Sequence, residues 1–249
     1  LTVDGSGVAL LTLERPEAAN ARNQAMREEL LDHYAWISSQ DDVRVLVLTG
    51  AGDRAFCAGM DMKESARPET PAERRERLLA GRDIEVLAAL PIPTIAAING
   101  FALGGGAEMA LACDIRVMAD EATLGLPEVT HGLVPGGGGT QRLPRLVGTS
   151  RALAMILLSE SLTGPQAADV GIAVASVPRA IVREHAVRLA HLIASRPGRA
   201  VRRAKELVRA SLDTPLSVGL EREFDALLAL MEERDQAGPA PDSPSVPTS

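Results

Sequence analysis

Apolar positions along this chain follow two rhythms. Continuous aliphatic runs occur in "GVALLTLERP" (7–16), "VRVLVLTGAG" (43–52) and "IPTIAAING" (92–100). Each is short and bounded by Gly or Pro, the pattern of a strand covered on both faces. Between them, "NQAMREELLDHYAWISSQ" (23–40) and "TPAERRERLLAGRDIEVLAALP" (70–91) carry apolar residues three and four apart and predict amphipathic helices. "RAFCAGMDMKE" (54–64) reads as a loop or short strand, 105–113 as a helix and "DIRVMAD" (114–120) as a strand. After residue 140 the spacing is mostly helical, over 150–158, 164–170, 178–195, 197–212 and 215–235. Only "GIAVASV" (171–177) interrupts it as a strand candidate.

Strands alternating with helices predict an α/β chain with parallel pairing, and the pattern alone favours a doubly wound sheet. A helical appendage is expected to begin near residue 195. The final stretch, "QAGPAPDSPSVPTS" (236–249), is Pro/Ser-rich with little to bury and is expected to be a disordered tail.

Charge and composition narrow the chemistry. A net charge of −7 and an aromatic content of 2% argue against a nucleic-acid surface, which needs basic excess or stacking platforms. No run approaches the length of a membrane span, and the first residues show no basic leader with an apolar core. Cys57 and Cys113 lack metal-type spacing, so a reducing, cytoplasmic setting without a metal site is expected. The glycine runs fit neither a dinucleotide fingerprint nor a P-loop, and neither G-x-S-x-G nor H-E-x-x-H is present.

Four segments remain. "FCAGMD" (56–61) is a strand-to-loop segment with a glycine. "NGFALGGGAE" (99–108) runs from a strand into a helix with Glu108 in its first turn. "LGLPEVTHG" (124–132) carries Glu128, and "PGGGGTQRLPR" (135–145) enters another helix. Glycines at a helix start leave N–H groups open to a ligand oxygen, where the helix dipole favours negative charge. That combination makes an oxyanion hole, and a carboxylate one turn away can move protons. The same glycines also suit close helix–strand packing, with Glu108 a surface partner of the dipole, and the residues alone leave both readings open. Glu128 after Pro127 also suits a plain helix start. Asp61 and Asp114 suit loop pinning, and Gly136–Gly139 suit tight turns.

In "LERPEAANA", "LTGAGDRAFCAGMDMKE", "PIPTIAAINGFALGGGAEMALACD", "LGLPEVTHGLVPGGGGTQRLPRLVG" and "LTGPQAADVG", the chain resembles the crotonase superfamily, the enoyl-CoA hydratase/isomerase family. The resemblance extends from about residue 7 to 235. It implies a spiral of repeated ββα units over 1–195 and a helical oligomerisation region over 196–235, with a homotrimer or homohexamer as the assembly. It implies backbone oxyanion donors at Met60 and Gly105 and catalytic carboxylates at Glu108 and Glu128. The activity implied is hydration of a trans-2-enoyl-CoA to a 3-hydroxyacyl-CoA. Rivals are 3-enoyl to 2-enoyl isomerisation and a non-catalytic, for example RNA-binding, role. CoA is part of the substrate and no separate cofactor is implied.

CoA is expected along Ala58, Met60, Asp61, Met62 and Lys63, beside Ala21 and Arg22 of the "NAR" loop. Lys63 and Arg22 are expected either to meet its phosphates or to be ordinary exposed cations. Arg22 departs from the family, which commonly has Leu there, Met60 replaces a frequent small residue, and the C-terminus departs most. His131 is a candidate for the acyl pocket, with a solvated loop position as the alternative. The Pro/Ser-rich end replaces a further helix that usually helps cover CoA.

Overall fold

The computed structural model describes residues 1–237. In chain order its strands and α-helices are β1 (Thr2–Val3), β2 (Val8–Leu13), α1 (Gln24–Ser39), β3 (Val45–Gly50), β4 (Ala55–Cys57), α2 (Met62–Ser65), α3 (Pro71–Ala80), α4 (Asp83–Ala89), β5 (Thr94–Ile98), β6 (Phe101–Leu103), α5 (Gly105–Ala112), β7 (Ile115–Ala119), β8 (Thr123–Gly125), α6 (Gly139–Val147), α7 (Thr149–Leu157), β9 (Ser161–Thr163), α8 (Gly164–Asp169), β10 (Ala175–Val177), α9 (Val182–Ala194), α10 (Gly198–Ala210) and α11 (Leu216–Ala237). The Pro/Ser-rich segment from 238 lies outside the described residues, while Gln236 and Ala237 complete α11.

Every residue of β3 and β5 is buried, as their unbroken apolar runs require. They form the middle of a six-stranded sheet ordered β1-β2-β3-β5-β7-β10, parallel except for β1. Helix α9 lies against β2, β3, β5 and β7 through Val182, Ala186, Ala190 and Ala194. Alanines four apart form one smooth stripe that lets the helix approach the sheet closely. Helix α1 starts where the Asn23 side chain accepts from Met26 N–H at 3.0 Å, and it buries Met26, Leu30, Tyr34 and Ile37. A buried side chain of that size contributes roughly 1.5–3 kcal/mol of transfer free energy.

The doubly wound expectation is wrong for a topological reason. Strand order in the large sheet never reverses, whereas a doubly wound sheet changes direction at a switch point. After β3, β5 and β7 the chain crosses by residues 51–54, 99–100 and 120–122 into β4, β6 and β8. These belong to a second sheet, ordered β4-β6-β8-β9, in which only the β8–β9 pair is antiparallel. Each turn therefore adds a strand to both sheets before its helix, which is the spiral of ββα units implied by the resemblance.

Buried amides fasten the crossings. Asn99 Nδ2 donates to Gly50 O at 2.9 Å and to Gly52 O at 2.8 Å, and its Oδ1 accepts from Gly50 N–H at 3.2 Å. Asn20 Nδ2 donates to Ala55 O at 2.8 Å and Ala51 O at 3.0 Å. The segment expected as one helix over 70–91 is two, α3 and α4, separated around Gly81. A Thr70–Glu73 capping box and Pro71 start α3.

The chain divides into two compact units, Leu1–Arg196 and the part from Pro197 onward. In the second, α10 packs on α11. That unit exposes Val208, Leu216, Leu220, Phe224, Leu227 and Met231 among other apolar side chains.

Candidate active site

The site is built on the small sheet, at the C-terminal ends of its parallel strands. The register pairs Cys57 of β4 with Ala102 of β6, so Met60 and Gly105 each lie three residues past paired positions. Leu103 of β6 pairs with Gly125 of β8, and Glu128 lies three residues past Gly125. One strand end after another thus delivers the candidate groups to a common edge.

Met60 sits opposite Arg22 in an isolated parallel bridge. Arg22 N–H donates to Gly59 O at 2.7 Å, and Asp61 N–H donates to Arg22 O at 3.1 Å. In such a pairing the central residue's own N–H and C=O face the other way. The Met60 N–H is therefore directed away from the Arg22 segment. Gly105 is the first residue of α5, where an N–H has no partner within the helix, and the preceding Gly104 supplies no side-chain cap.

Two glycines make the approach of these segments possible. Gly59 has φ +96°, and a Cβ there would stand 2.8 Å from Leu103 O and 3.1 Å from Gly105 N. A Cβ on Gly106 would overlap the Cys57 carbonyl. The glycine run thus serves close packing, one of the two readings left open by the sequence. The same packing sets an unpaired helix-start N–H beside the Met60 loop.

Glu108, in the first turn of α5, is buried. Its Oε1 accepts from Gly137 N–H at 2.7 Å and Gly139 N–H at 2.9 Å. A Cβ on Gly137 would lie 2.7 Å from Glu108 Oε2 and 2.7 Å from Ile84 Cδ1, so the glycine loop and Ile84 press against the carboxylate. Arg142 holds the loop by donating to Gly137 O at 2.7 Å. Gly136–Gly139 therefore do more than turn the chain: two of their N–H groups orient Glu108. Glu128 opens a short 3-10 helix, Glu128–His131, and its Oε1 lies against Gly104. Its Oε2 is buried without a hydrogen-bond partner. Burial pushes the Glu128 carboxyl above its ordinary value; a bond from its own backbone N–H opposes this, and the nearby charge of Glu108 adds to it.

The other expected residues separate by environment. Ala19, Ala21 and Arg22 run beside the 58–61 loop, with Ala58 N–H donating to Ala19 O at 3.0 Å. Ala21 O accepts from Arg15 Nη1 at 2.6 Å. Asp61 caps α2 by accepting from Lys63 N–H at 3.0 Å and pairs with Arg15 at 3.0 Å. Asp114 ties the start of β5, accepting from Thr94 N–H at 2.8 Å. Met62, Lys63 and His131 are exposed.

Arg22 corrects the expectation: it is neither an exposed cation nor turned out toward a phosphate. Its side chain is 7% exposed and its Nη1 donates to both oxygens of Asp83, at 2.7 and 2.5 Å. Sequence reasoning missed Asp83 and the orienting role of Gly137 and Gly139. Asp83 lies 61 residues from its partner, with no local pattern to link them. Among the described residues no group of three or more His, Cys, Asp or Glu is placed to hold a metal, and no helix is long and apolar enough to cross a membrane.

Comparison with known proteins gives one answer. The family model described as enoyl-CoA hydratase/isomerase matches residues 4–240. The chain is 41% identical over 234 residues to the 2,3-dehydroadipyl-CoA hydratase of Escherichia coli, covering 92% of this chain and 89% of the relative. It is 35% identical over 229 residues to the short-chain-enoyl-CoA hydratase of Clostridium acetobutylicum, covering 92% and 88%. The crystal structure of an enoyl-CoA hydratase from Bacillus anthracis superposes with a TM-score of 0.89 at 40% identity, over 95% of this chain and 92% of that one. With the spiral fold and the strand-end site in place, these matches establish that the chain belongs to the enoyl-CoA hydratase/isomerase, or crotonase, family of enzymes, which act on acyl-CoA thioesters.

Proposed function

We propose that the protein hydrates a trans-2-enoyl-CoA to a 3-hydroxyacyl-CoA. The observation that carries this reading is the pair of carboxylates at the start of α5, beside the N–H groups of Gly105 and Met60. In the substrate the double bond is conjugated to the thioester carbonyl. As water adds at C3, electron density moves onto the thioester oxygen, and the Met60 and Gly105 N–H groups stabilise it. Glu108 Oε1 is held by two donors, so Oε2 is the atom left to take the proton of the attacking water. Glu128, with its carboxyl pushed toward the protonated form, delivers a proton to C2. Two carboxylates sharing one water titrate as a pair. No group beyond the substrate's own CoA enters these steps.

CoA lies along Ala58, Met60, Asp61, Met62 and Lys63, with Ala21 beside it, and the exposed Lys63 is the cation available to its phosphates. The exposed apolar row of α11 supports a homotrimer or a pair of trimers, which light scattering of the purified protein tests. The reaction is tested by supplying 2-enoyl-CoA and 3-enoyl-CoA thioesters separately and following the conjugated double bond by absorbance. Loss of 2-enoyl absorbance is expected. Appearance of that absorbance from the 3-enoyl thioester, without hydration, would make the protein an isomerase instead.

A further inference from the structure

Arg22 touches both halves of the oxyanion site. Its backbone clamps the Met60 loop through the bonds to Gly59 and Asp61. Its side chain then reaches the other donor: Nη2 stands 2.5 Å from where a Cβ on Gly105 would be. Any side chain at 105 would therefore collide with the guanidinium.

The fork is divided between two tasks. Nη1 gives its bonds to Asp83, which is itself buried. Nη2 has no carboxylate or carbonyl partner among the described residues. Nε is sealed in the interior without a partner. A guanidinium with a purely structural role directs its donors to protein acceptors, because an unmatched buried donor is costly. Here the buried Cys57 thiol, a weak acceptor, is the guanidinium's other neighbour, and Nη2 stands where a Cβ on Gly105 would be, at the residue whose N–H is the proposed oxyanion donor.

We infer that Arg22, oriented by Asp83, is a third hydrogen-bond donor to the thioester oxygen of the bound substrate. This rests on the hydratase reading above. A positively charged donor in a nearly dry site stabilises the developing oxyanion more than a neutral amide does. Asp83 is the positioning residue: it fixes one end of the planar fork and so aims the other.

Two variants test the inference with crotonyl-CoA turnover and with bound acetoacetyl-CoA, whose enolate is seen by its near-ultraviolet absorbance. Arg22→Lys keeps a cation for Asp83 but has no second arm. The double variant Arg22→Leu/Asp83→Leu replaces the whole pair by apolar groups, so that no buried charge is left alone. The double variant is expected to lose about 100-fold in kcat with KM within a few-fold, as for removal of an oxyanion donor. Arg22→Lys is expected to lose at least about tenfold on the same grounds. Both should show a smaller enolate fraction of bound acetoacetyl-CoA at a given pH.

Turnover and enolate absorbance of Arg22→Lys equal to the wild type would overturn the proposal, whether or not the double variant folds. A wild-type protein that ionises acetoacetyl-CoA and hydrates crotonyl-CoA, beside an equally active and folded double variant, would reject Arg22 alone. A wild type that does neither with any enoyl-CoA supplied would remove the hydratase reading and this inference together.

Discussion

Replacing Glu108 by Gln separates the chemistry of this site from its architecture. Oε1 of Glu108 accepts two N–H bonds, from Gly137 and Gly139, at 2.7 and 2.9 Å. A glutamine must place its amide oxygen there, because its NH2 would face two donors. The NH2 then takes the place of Oε2, turning the proposed proton acceptor into a donor. Hydrogen bonds to charged groups contribute about 1.5–3 kcal/mol and neutral ones about 0.5–1.5. Two weakened bonds therefore cost about 2 kcal/mol, partly offset by relief of the charge facing Glu128. For a chain of this size that is a fall in Tm of about 2–8 °C. Loss of a general base lowers turnover by about 10²–10⁴, or roughly 2.7–5.5 kcal/mol of barrier. The assay is crotonyl-CoA hydration by Glu108→Gln, alongside thermal melting followed by circular dichroism. A kcat within tenfold of the wild type, in a protein melting as expected, would refute the assignment of Glu108 as base.

Three other outcomes are expected. Glu128→Gln should raise stability at pH 8, and the gain should vanish as pH falls below the ordinary carboxylate range. The folded protein holds this carboxyl above its unfolded value, so the wild type is most stable with Glu128 protonated and loses stability as pH rises through the folded value. Melting curves across pH check the sign, and a gap that widens toward acid contradicts it. Gly106→Ala should force the start of α5 away from Cys57 O, costing about 1–3 kcal/mol in overpacking and about 100-fold in kcat as the two N–H donors part. Enolate absorbance of bound acetoacetyl-CoA reports the second effect independently of folding. Asp83→Ala should lower stability by about 3–5 kcal/mol by leaving Arg22 buried without its anion, whereas Arg22→Leu/Asp83→Leu should recover most of the loss. Urea titration of the three proteins measures both.

How much of this was legible depended on segment length and on range along the chain. β2, β3 and β5 were readable because five or six consecutive apolar or small residues, all or mostly buried, leave little choice. β4, β6 and β8 are three residues each, too short for any period to show, and they carry the site. The spiral was invisible to periodicity for that reason; it entered only through the resemblance. Glu108 was legible because a charge beside three glycines violates local expectation. Asp83 was not, since an acidic residue at a helix start is commonplace and its partner lies far away in the chain. Gly137 and Gly139 were read as turn formers because an N–H donor leaves no trace in side-chain chemistry.

The matched offsets of Met60 and Gly105 beyond neighbouring strands have a metric consequence. Adjacent strands lie about 4.8 Å apart. Two N–H nitrogens carried forward at that spacing, each about 2.9 Å from a shared oxygen, subtend roughly 110° at it, close to the spread of two lone pairs. In the proposed reaction, the pitch of the small sheet would serve as a ruler for the thioester oxygen. Backbone donors set this spacing without calling on any side chain, so a change of side chain beside them would leave the proposed gauge in place.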